Sequence, residues 1–329
     1  FTTTGATILA DVEALSRGML FWRSFTHWIG GMGILVFVVM LVNTPDRSIN
    51  ILKAEMPGPT VDKLVPKSKD TARTLYIIYT ALTALEVIFL LLGGMSLFDS
   101  VVHALSTAGT GGFGAYNASA ANFSPYIQWV LTVFMFLFAI NFNLFYLILL
   151  GRMRDVFRNT EFRVYLAIVL VSVAVITAEI MPLYRTFSDS LRQAAFQVAS
   201  IISTTGFITA DFTVWTPLSK ALLLGLMFVG GCAGSTAGGL KVSRVAILFK
   251  MMHRELRHTL RPRVVDVIKM DGRRLDEQTA HSVAVYFALY ILSIAALIVS
   301  LSFSRFDLET NLFAAISCFN NVGPGFGMA

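Results

Sequence analysis

The chain has 329 residues, of which 55% are hydrophobic and only 14% are charged. A soluble domain of this length could not bury so much apolar surface, so the composition excludes an ordinary soluble protein and indicates an integral membrane protein. The formal net charge is +6, but Lys and Arg cluster beside apolar segments, which argues for membrane topology and against a nucleic-acid partner.

Several segments are apolar over enough residues to be predicted as membrane spans, since a bilayer core requires about 20 such residues. In chain order they are 18–42, 74–98, 126–150, 162–184, 217–258, which a Gly-rich stretch interrupts, and 279–303. Shorter apolar segments lie at 99–108, 189–204 and 309–321. A helix that short enters the membrane and must turn back, so we expect re-entrant helices there.

A motif of small residues followed by glycine recurs beside these short segments. It reads TTTGAT at 2–7, STAG at 106–109, STTG at 203–206 and NNVG at 320–323. The glycines at 5, 109, 206 and 323 are 104, 97 and 117 residues apart, a spacing typical of a two-helix membrane hairpin with a re-entrant loop. One such motif would be an ordinary turn; its repetition at matched spacing indicates an internal repeat.

The predicted fold is therefore an all-α integral membrane protein in which the order outer helix, short re-entrant helix, Gly motif and inner helix is repeated around a ring. The units are expected at 1–73, 74–161, 162–278 and 279–329. The first would lack its outer and short helices and the fourth its inner helix, so we expect a repeat truncated at both ends.

The positive charges predict the orientation. Segments 43–73, 151–163 and 240–274 hold 6, 4 and 10 of the 26 Lys and Arg residues, whereas 96–126 holds none. By the positive-inside rule, the charged segments are cytoplasmic and the Gly motifs face outward.

The motifs suit cation coordination by backbone carbonyls. Glycine allows an extended path that other residues disfavour, and rings of carbonyl oxygens can replace the hydration shell of a monovalent cation. The alternative of a membrane-embedded enzyme requires converging acids or histidines, and the motifs offer only Thr, Ser, Ala, Asn, Val and Gly. We expect no catalytic site.

The Gly-rich stretch GGCAGSTAGG at 230–239 interrupts a predicted span. Its small residues allow the chain to leave the helix inside the membrane. A phosphate-binding loop would require GxxxxGK[ST], and here Leu240 precedes Lys241. Close helix packing through small residues remains an alternative to a mobile loop.

The Gly motifs, together with FWRSFTHWIGGMGILV at 21–36 and GGCAGSTAGGLKVSR at 230–244, resemble the Trk/Ktr/HKT superfamily of potassium transporters, and within it the TrkH family. The resemblance covers essentially the whole chain. It implies a pseudo-fourfold pore of M1-P-M2 units in one chain, in the bacterial cytoplasmic membrane. It also implies a homodimer and a cytosolic, nucleotide-binding ring of TrkA-type regulators.

The resemblance assigns two sets of site residues. The potassium-selective filter would consist of Thr3, Thr4, Gly5, Thr107, Ala108, Gly109, Thr204, Thr205, Gly206, Asn321, Val322 and Gly323. The gate below it would contain Gly230, Gly231, Gly234, Ser235, Gly238 and Gly239, with Lys241 and Arg244 at its cytoplasmic end. Glycine at all four key positions goes with potassium in this superfamily. A sodium-selective or sodium-coupled member remains the alternative.

Overall fold

The computed structural model describes residues 1–7, 9, 11–33, 68–261, 267–303 and 306–325. Parts of the predicted span 18–42, of the basic segments 43–73 and 240–274 and of the fourth unit lie outside these residues. Within the described residues the chain is helical apart from turns, loops and one two-stranded antiparallel hairpin. The prediction of an all-α protein is confirmed.

The helices follow the predicted order of long outer, short and inner elements. They are α1 Arg17–Gly31, α2 Ser68–Leu92, α3 Leu97–Ala108, α4 Pro125–Phe138, α5 Phe142–Leu149, α6 Met153–Arg158, α7 Thr160–Ile180, α8 Phe187–Ile202, α9 Pro217–Val229, α10 Val242–Leu260, α11 Glu277–Leu301 and α12 Leu308–Phe319. The hairpin strands are β1 Lys269–Met270 and β2 Arg273–Arg274.

Three described segments are long and apolar enough to cross a membrane as single helices. They are Arg73–Leu92, Thr160–Leu183 and Glu277–Leu301, with 20, 24 and 25 residues. Each exposes large apolar side chains, among them Ile77, Leu170 and Leu292. Such side chains suit a lipid environment, so these segments are the outer helices that surround the short ones.

The predicted span 126–150 is not one straight helix. Helices α4 and α5 meet at an angle of 93° across residues 139–141. Asn141 caps α5, because its Oδ1 accepts a hydrogen bond from the Asn143 N–H at 2.9 Å. Two carbonyl oxygens left free at the break accept hydrogen bonds from the Gly-rich stretch instead. The Phe138 carbonyl accepts from Thr236 Oγ1, and the Ala139 carbonyl accepts from the Cys232 N–H.

The short helices lie between an outer helix and the inner helix of the preceding unit. Helix α3 packs on α2, α8 on α7 and α12 on α11. On the inner side, α1 contacts α3, α4 contacts α8 and α9 contacts α12. Each inner helix therefore supports the short helix that follows it. In the second and third units the inner helix also contacts the short helix of its own unit, α4 with α3 and α9 with α8.

Each short helix begins with the same type of cap. Ser96, Thr186 and Asp307 accept hydrogen bonds from the N–H groups of Asp99, Asp189 and Thr310, all at 3.1 Å. In α3 and α8 the capping hydroxyl also donates to the acidic side chain in the first turn, at 2.7 Å. These acids fall where a negative charge stabilises a helix N-terminus.

We predict that Thr186→Ala lowers the free energy of unfolding by about 1 kcal/mol, because α8 loses its capping oxygen. The measurement is thermal unfolding of the purified full-length protein in detergent. Thr186→Ser is the matched control: it keeps the hydroxyl and should unfold like wild type. Equal midpoints for the Ala and Ser variants would exclude a stabilising cap.

Candidate functional site

The short helices α3, α8 and α12 end in the same backbone conformation. Each is followed by a left-handed residue that is not glycine: Thr110, Thr204 and Asn321, with φ of 50°, 57° and 57°. The N–H of the following residue donates a hydrogen bond to a serine carbonyl in the last turn of the helix. The pairs are Gly111 to Ser106, Thr205 to Ser200 and Val322 to Ser317, each at 2.9 Å. These bonds are the Schellman type of helix ending, which turns the chain sharply away from the helix axis.

One residue further along, each segment has a glycine with positive φ. These are Gly112, Gly206 and Gly323, with φ of 76°, 85° and 99°. The N-terminal segment repeats the pattern with Thr3 and Gly5, at φ of 59° and 74°. The equivalent segments are thus 3–5, 110–112, 204–206 and 321–323, here called the ring segments.

The ring segments contact one another in cyclic order. A Cβ atom added to Gly5 would meet the Gly111 carbonyl oxygen, one added to Gly112 the Thr205 oxygen, and one added to Gly206 the Val322 oxygen, each closer than the 3.0 Å that real Cβ atoms require. A Cβ on Gly323 would lie 3.1 Å from the Thr4 oxygen and close the ring. In every case the carbonyl belongs to the residue that precedes the glycine of the neighbouring ring segment. Both φ and the lack of space therefore favour glycine at these positions.

The second ring segment lies three residues later than the sequence predicts. Thr107 and Ala108 belong to α3, and Gly109 is its C-cap with an ordinary helical φ of −75°. Gly109 is required for another reason, because a Cβ there would collide with the His27 carbonyl of α1. The expectation of an extended path at 107–109 is wrong, and Gly112 is the equivalent of the other ring glycines.

The other predicted filter residues, from Thr3 to Gly5, Thr204 to Gly206 and Asn321 to Gly323, do lie in the ring segments. A sequence signal for the correct register exists. A serine precedes each glycine by six residues, in the pairs Ser106–Gly112, Ser200–Gly206 and Ser317–Gly323. The hydroxyls of Ser200 and Ser317 bond to the carbonyls of Phe207 and Pro324 at 2.7 and 2.8 Å, just past the ring.

The polar groups of the ring segments that could bind an ion are neutral carbonyl and hydroxyl oxygen atoms. Thr110, Thr204, Thr205 and Val322 are fully buried. Among the described residues, no cluster of three or more His, Cys, Asp and Glu could hold a metal ion. The C-terminal ends of α3, α8 and α12 lie at the ring, and each carries a partial negative charge of about one half. Carbonyl and hydroxyl oxygens beside these helix ends favour a monovalent cation over an anion.

An acidic turn at residues 11–13 follows the first ring segment in the chain and lies on the surface. The Asp11 carboxylate accepts hydrogen bonds from Asn117 Nδ2 at 2.8 Å and from the Glu13 N–H at 2.9 Å. These bonds, the one from Asn117 most of all, hold the pKa of Asp11 below its usual value. Asp11 is therefore ionised at neutral pH, and its negative charge attracts cations to this surface.

The Gly-rich loop, residues 230–241, connects α9 to α10. Its two ends are joined by backbone hydrogen bonds, with the N–H groups of Leu240, Lys241 and Val242 donating to the carbonyls of Phe228, Val229 and Gly231 at 2.9 to 3.1 Å. Positive φ angles at Gly230, Gly234 and Gly239 fold the chain between them. The interruption predicted within 217–258 is thus a closed loop.

The tip of the Gly-rich loop contacts the ring directly. The Gly238 N–H donates to Thr204 Oγ1 at 2.7 Å, and Thr110 Oγ1 donates to the Thr236 carbonyl at 2.9 Å. A Cβ on Gly238 would collide with the Asn320 carbonyl, next to the fourth ring segment. The loop therefore touches the second, third and fourth units at one end of the ring. Thr110 and Thr236 were not among the predicted site residues.

The remaining predicted loop residues lie further from the ring. Ser235 Oγ donates to the Cys232 carbonyl at 2.6 Å, and the Lys241 amine donates to the Ala237 carbonyl, both within the loop. Arg244 lies in the first turn of α10, where its guanidinium stands 4.1 Å from the centre of the Tyr286 ring. Lys241 thus reaches from the end of the loop to its tip, whereas Arg244 contacts α11.

Comparison with known proteins identifies the family. The sequence profile of the TrkH family, described as a cation transport protein, matches residues 1–329. The chain is 36% identical over 333 residues to the Trk system potassium uptake protein TrkH of Salmonella typhimurium, covering 99% of this chain and 69% of the relative. It is 34% identical over 333 residues to the Trk system potassium uptake protein TrkG of Escherichia coli K12, covering 99% and 68%.

The fold agrees with a solved structure of the same family. The crystal structure of the potassium transporter TrkH from Vibrio parahaemolyticus superposes with a TM-score of 0.88 at 33% sequence identity. The match covers 99% of this chain and 68% of that one. The chain described here belongs to the TrkH family of cation transport proteins, which is a family of transporters and not of enzymes.

Proposed function

We propose that this protein takes up potassium ions across the bacterial cytoplasmic membrane through a channel-like pore, by passive or ion-coupled flux. The closed ring of four glycine-containing segments is the observation that supports the proposal. Potassium is the ion named for the relatives TrkH and TrkG, which share about a third of their aligned residues with this chain.

The selectivity filter is assigned to the ring segments 3–5, 110–112, 204–206 and 321–323. Their carbonyl oxygens are the proposed potassium ligands, because such oxygens can replace the ion's hydration shell without a charged side chain. The ends of α3, α8 and α12 add a favourable potential for the dehydrated ion. Each ring segment belongs to one of the units 1–73, 74–161, 162–278 and 279–329, which we retain as the repeat boundaries.

The gate is assigned to the Gly-rich loop. Its tip lies against one end of the ring and is held there by the hydrogen bonds of Thr110 and Thr204. An ion that leaves the ring on this side meets the tip of the loop. Breaking these two bonds, together with the bonds of the tip to the break between α4 and α5, and shifting the tip would open the path. The glycines supply the backbone freedom for such a shift.

The sidedness and the assembly complete the proposal. The ring is taken to face outward and the basic segments inward, in agreement with the positive-inside rule. The working unit is taken to be a homodimer with a cytosolic ring of TrkA-type, nucleotide-binding regulators, as the family resemblance implies. A sodium-selective or sodium-coupled transporter is the alternative, and the growth experiment below distinguishes the two.

We predict that Gly206→Ser in the full-length gene abolishes rescue of a bacterial strain that lacks potassium uptake. The added Cβ would collide with the Val322 carbonyl, and φ at this position is 85°. Growth in potassium-limited and in sodium-loaded medium is the measurement. Gly225→Ser is the matched control, since nothing lies within 4 Å of its Cβ position in α9. Wild-type growth of the Gly206→Ser strain would refute the filter assignment.

A second prediction concerns the register of the second ring segment. Gly112→Ala should lower the preference for potassium over sodium by about tenfold, whereas Thr107→Ser, inside α3, should leave it near the wild-type value. Flux of each ion into proteoliposomes that contain the purified protein gives the ratio. If Thr107→Ser changed the ratio and Gly112→Ala did not, residues 107–109 would be the filter after all.

A third prediction tests the gate. Gly238→Ala should push the tip of the Gly-rich loop away from the Asn320 carbonyl and raise the unstimulated potassium flux by about threefold to tenfold. Gly225→Ala serves as the control in the same assay. An unchanged flux from a protein that is normally expressed and monodisperse would contradict the gate. Loss of folded protein would support the packing alternative.

A further inference from the structure

Glu161 is a buried acid that the proposed pore does not use. It lies in the first turn of α7, and only 6% of its surface is exposed. Its Oε1 atom accepts hydrogen bonds from the Ala233 N–H at 2.6 Å and from the Ser243 N–H at 3.0 Å. Ala233 is near the start of the Gly-rich loop, and Ser243 follows its end. One oxygen atom therefore holds both sides of the loop.

Two positively charged neighbours offset part of the cost of burying the Glu161 carboxylate. The loop contributes the buried Lys241, and α10 contributes Arg244, whose positive charges both interact with the Glu161 carboxylate. Hydrogen bonds to an ionised acceptor are roughly twice as strong as those between neutral groups. The two N–H donors would also be unpaired in a low-dielectric interior without it, at a considerable cost.

The helix turn that carries Glu161 is itself fixed. The Thr160 N–H donates to Asp271 Oδ1 at 2.6 Å, and the Asp271 N–H donates to Thr160 Oγ1 at 3.2 Å. Asn159 Nδ2 adds a third contact, to Asp271 Oδ2 at 3.3 Å. Asp271 is in the turn between β1 and β2, so this hairpin clamps the start of α7. Glu161 thus connects the loop to a fixed point of the fold.

We infer that Glu161 is the positioning residue that anchors the base of the Gly-rich loop and leaves its tip, residues 234–239, as the part that moves. The contrast between the two ends carries this inference. The base closes on itself through three backbone hydrogen bonds, and the Glu161 carboxylate binds both of its sides. The tip is held by hydrogen bonds to neutral groups of other elements, at Thr110, Thr204, Phe138 and Phe142, and by the Lys241 amine at the Ala237 carbonyl. The inference rests on the proposed function, in which this loop closes the pore.

Cys232 provides a readout that does not depend on ion flux. This thiol is fully buried beside Ala233. We expect Glu161→Ala to release the start of the loop and to raise the rate of Cys232 alkylation by N-ethylmaleimide at least about tenfold, since two hydrogen bonds to a charged group are lost. The experiment uses the full-length protein in proteoliposomes, with Cys318 replaced by serine so that Cys232 is the reporting thiol.

Two variants of the same residue and one control refine the test. Glu161→Gln keeps an oxygen acceptor, so alkylation should stay within about threefold of wild type. Glu161→Asp shortens the side chain and weakens both bonds, which share one oxygen atom, so its alkylation rate should fall between those of wild type and Glu161→Ala. It replaces the Ala variant if that variant does not fold. Glu179→Ala, at the other end of α7, should react like wild type.

The flux of the same samples separates this inference from the gate assignment. A rise in both alkylation and unstimulated potassium flux for Glu161→Ala supports both. A rise in alkylation with unchanged flux supports the anchor and refutes the gate. Wild-type alkylation of folded Glu161→Ala or Glu161→Asp overturns the anchor, whatever the flux.

Discussion

The close approach of four backbone segments is the constraint on which the rest of this structure depends. Gly5, Gly112, Gly206 and Gly323 each lie against a carbonyl oxygen of the next segment, at distances that leave no space for a side chain in at least three of the four. Such proximity of peptide groups inside a membrane is stable only if every segment is delivered by a rigid element. The short helices α3, α8 and α12 supply that rigidity for the second, third and fourth ring segments, because each helix ends in the same tight turn where its ring segment begins.

The outer and inner helices can be understood as supports for the short ones. A re-entrant helix has polar backbone groups at its end that lipid cannot satisfy. Here the outer helices cover the short helices on one side, and the inner helices of the preceding units contact them on the other. The serine hydroxyls of Ser200 and Ser317 satisfy the carbonyls just beyond the ring. In the second unit Ser106 instead lies 3.2 Å from His27 Nδ1, so the repeat is not chemically symmetric.

The need to pair backbone polar groups inside a membrane also explains why the break between α4 and α5 lies beside the Gly-rich loop. The break between α4 and α5 frees the carbonyls of Phe138 and Ala139, and the Gly-rich loop has unpaired N–H and hydroxyl groups of its own. Each supplies the partners that the other lacks. Non-helical backbone at membrane depth is tolerated when it is buried in protein in this way. Rearrangement of the loop would therefore also involve the broken inner helix of the second unit.

The sequence by itself determined the membrane class, the helical fold, the repeat and three of the four ring segments, because composition and apolar length depend on local chemistry alone. It also located the Gly-rich loop. Only the tertiary structure decided the second ring segment. Gly109 and Gly112 both lie close to another part of the backbone, but Gly109 lies against α1 and Gly112 lies against the third ring segment. The bend at 139–141 and the two bonds of Glu161 depend on the Gly-rich loop, which is far away in sequence. Contacts between distant segments set the bend and the two bonds of Glu161, and no local pattern of residues encodes them.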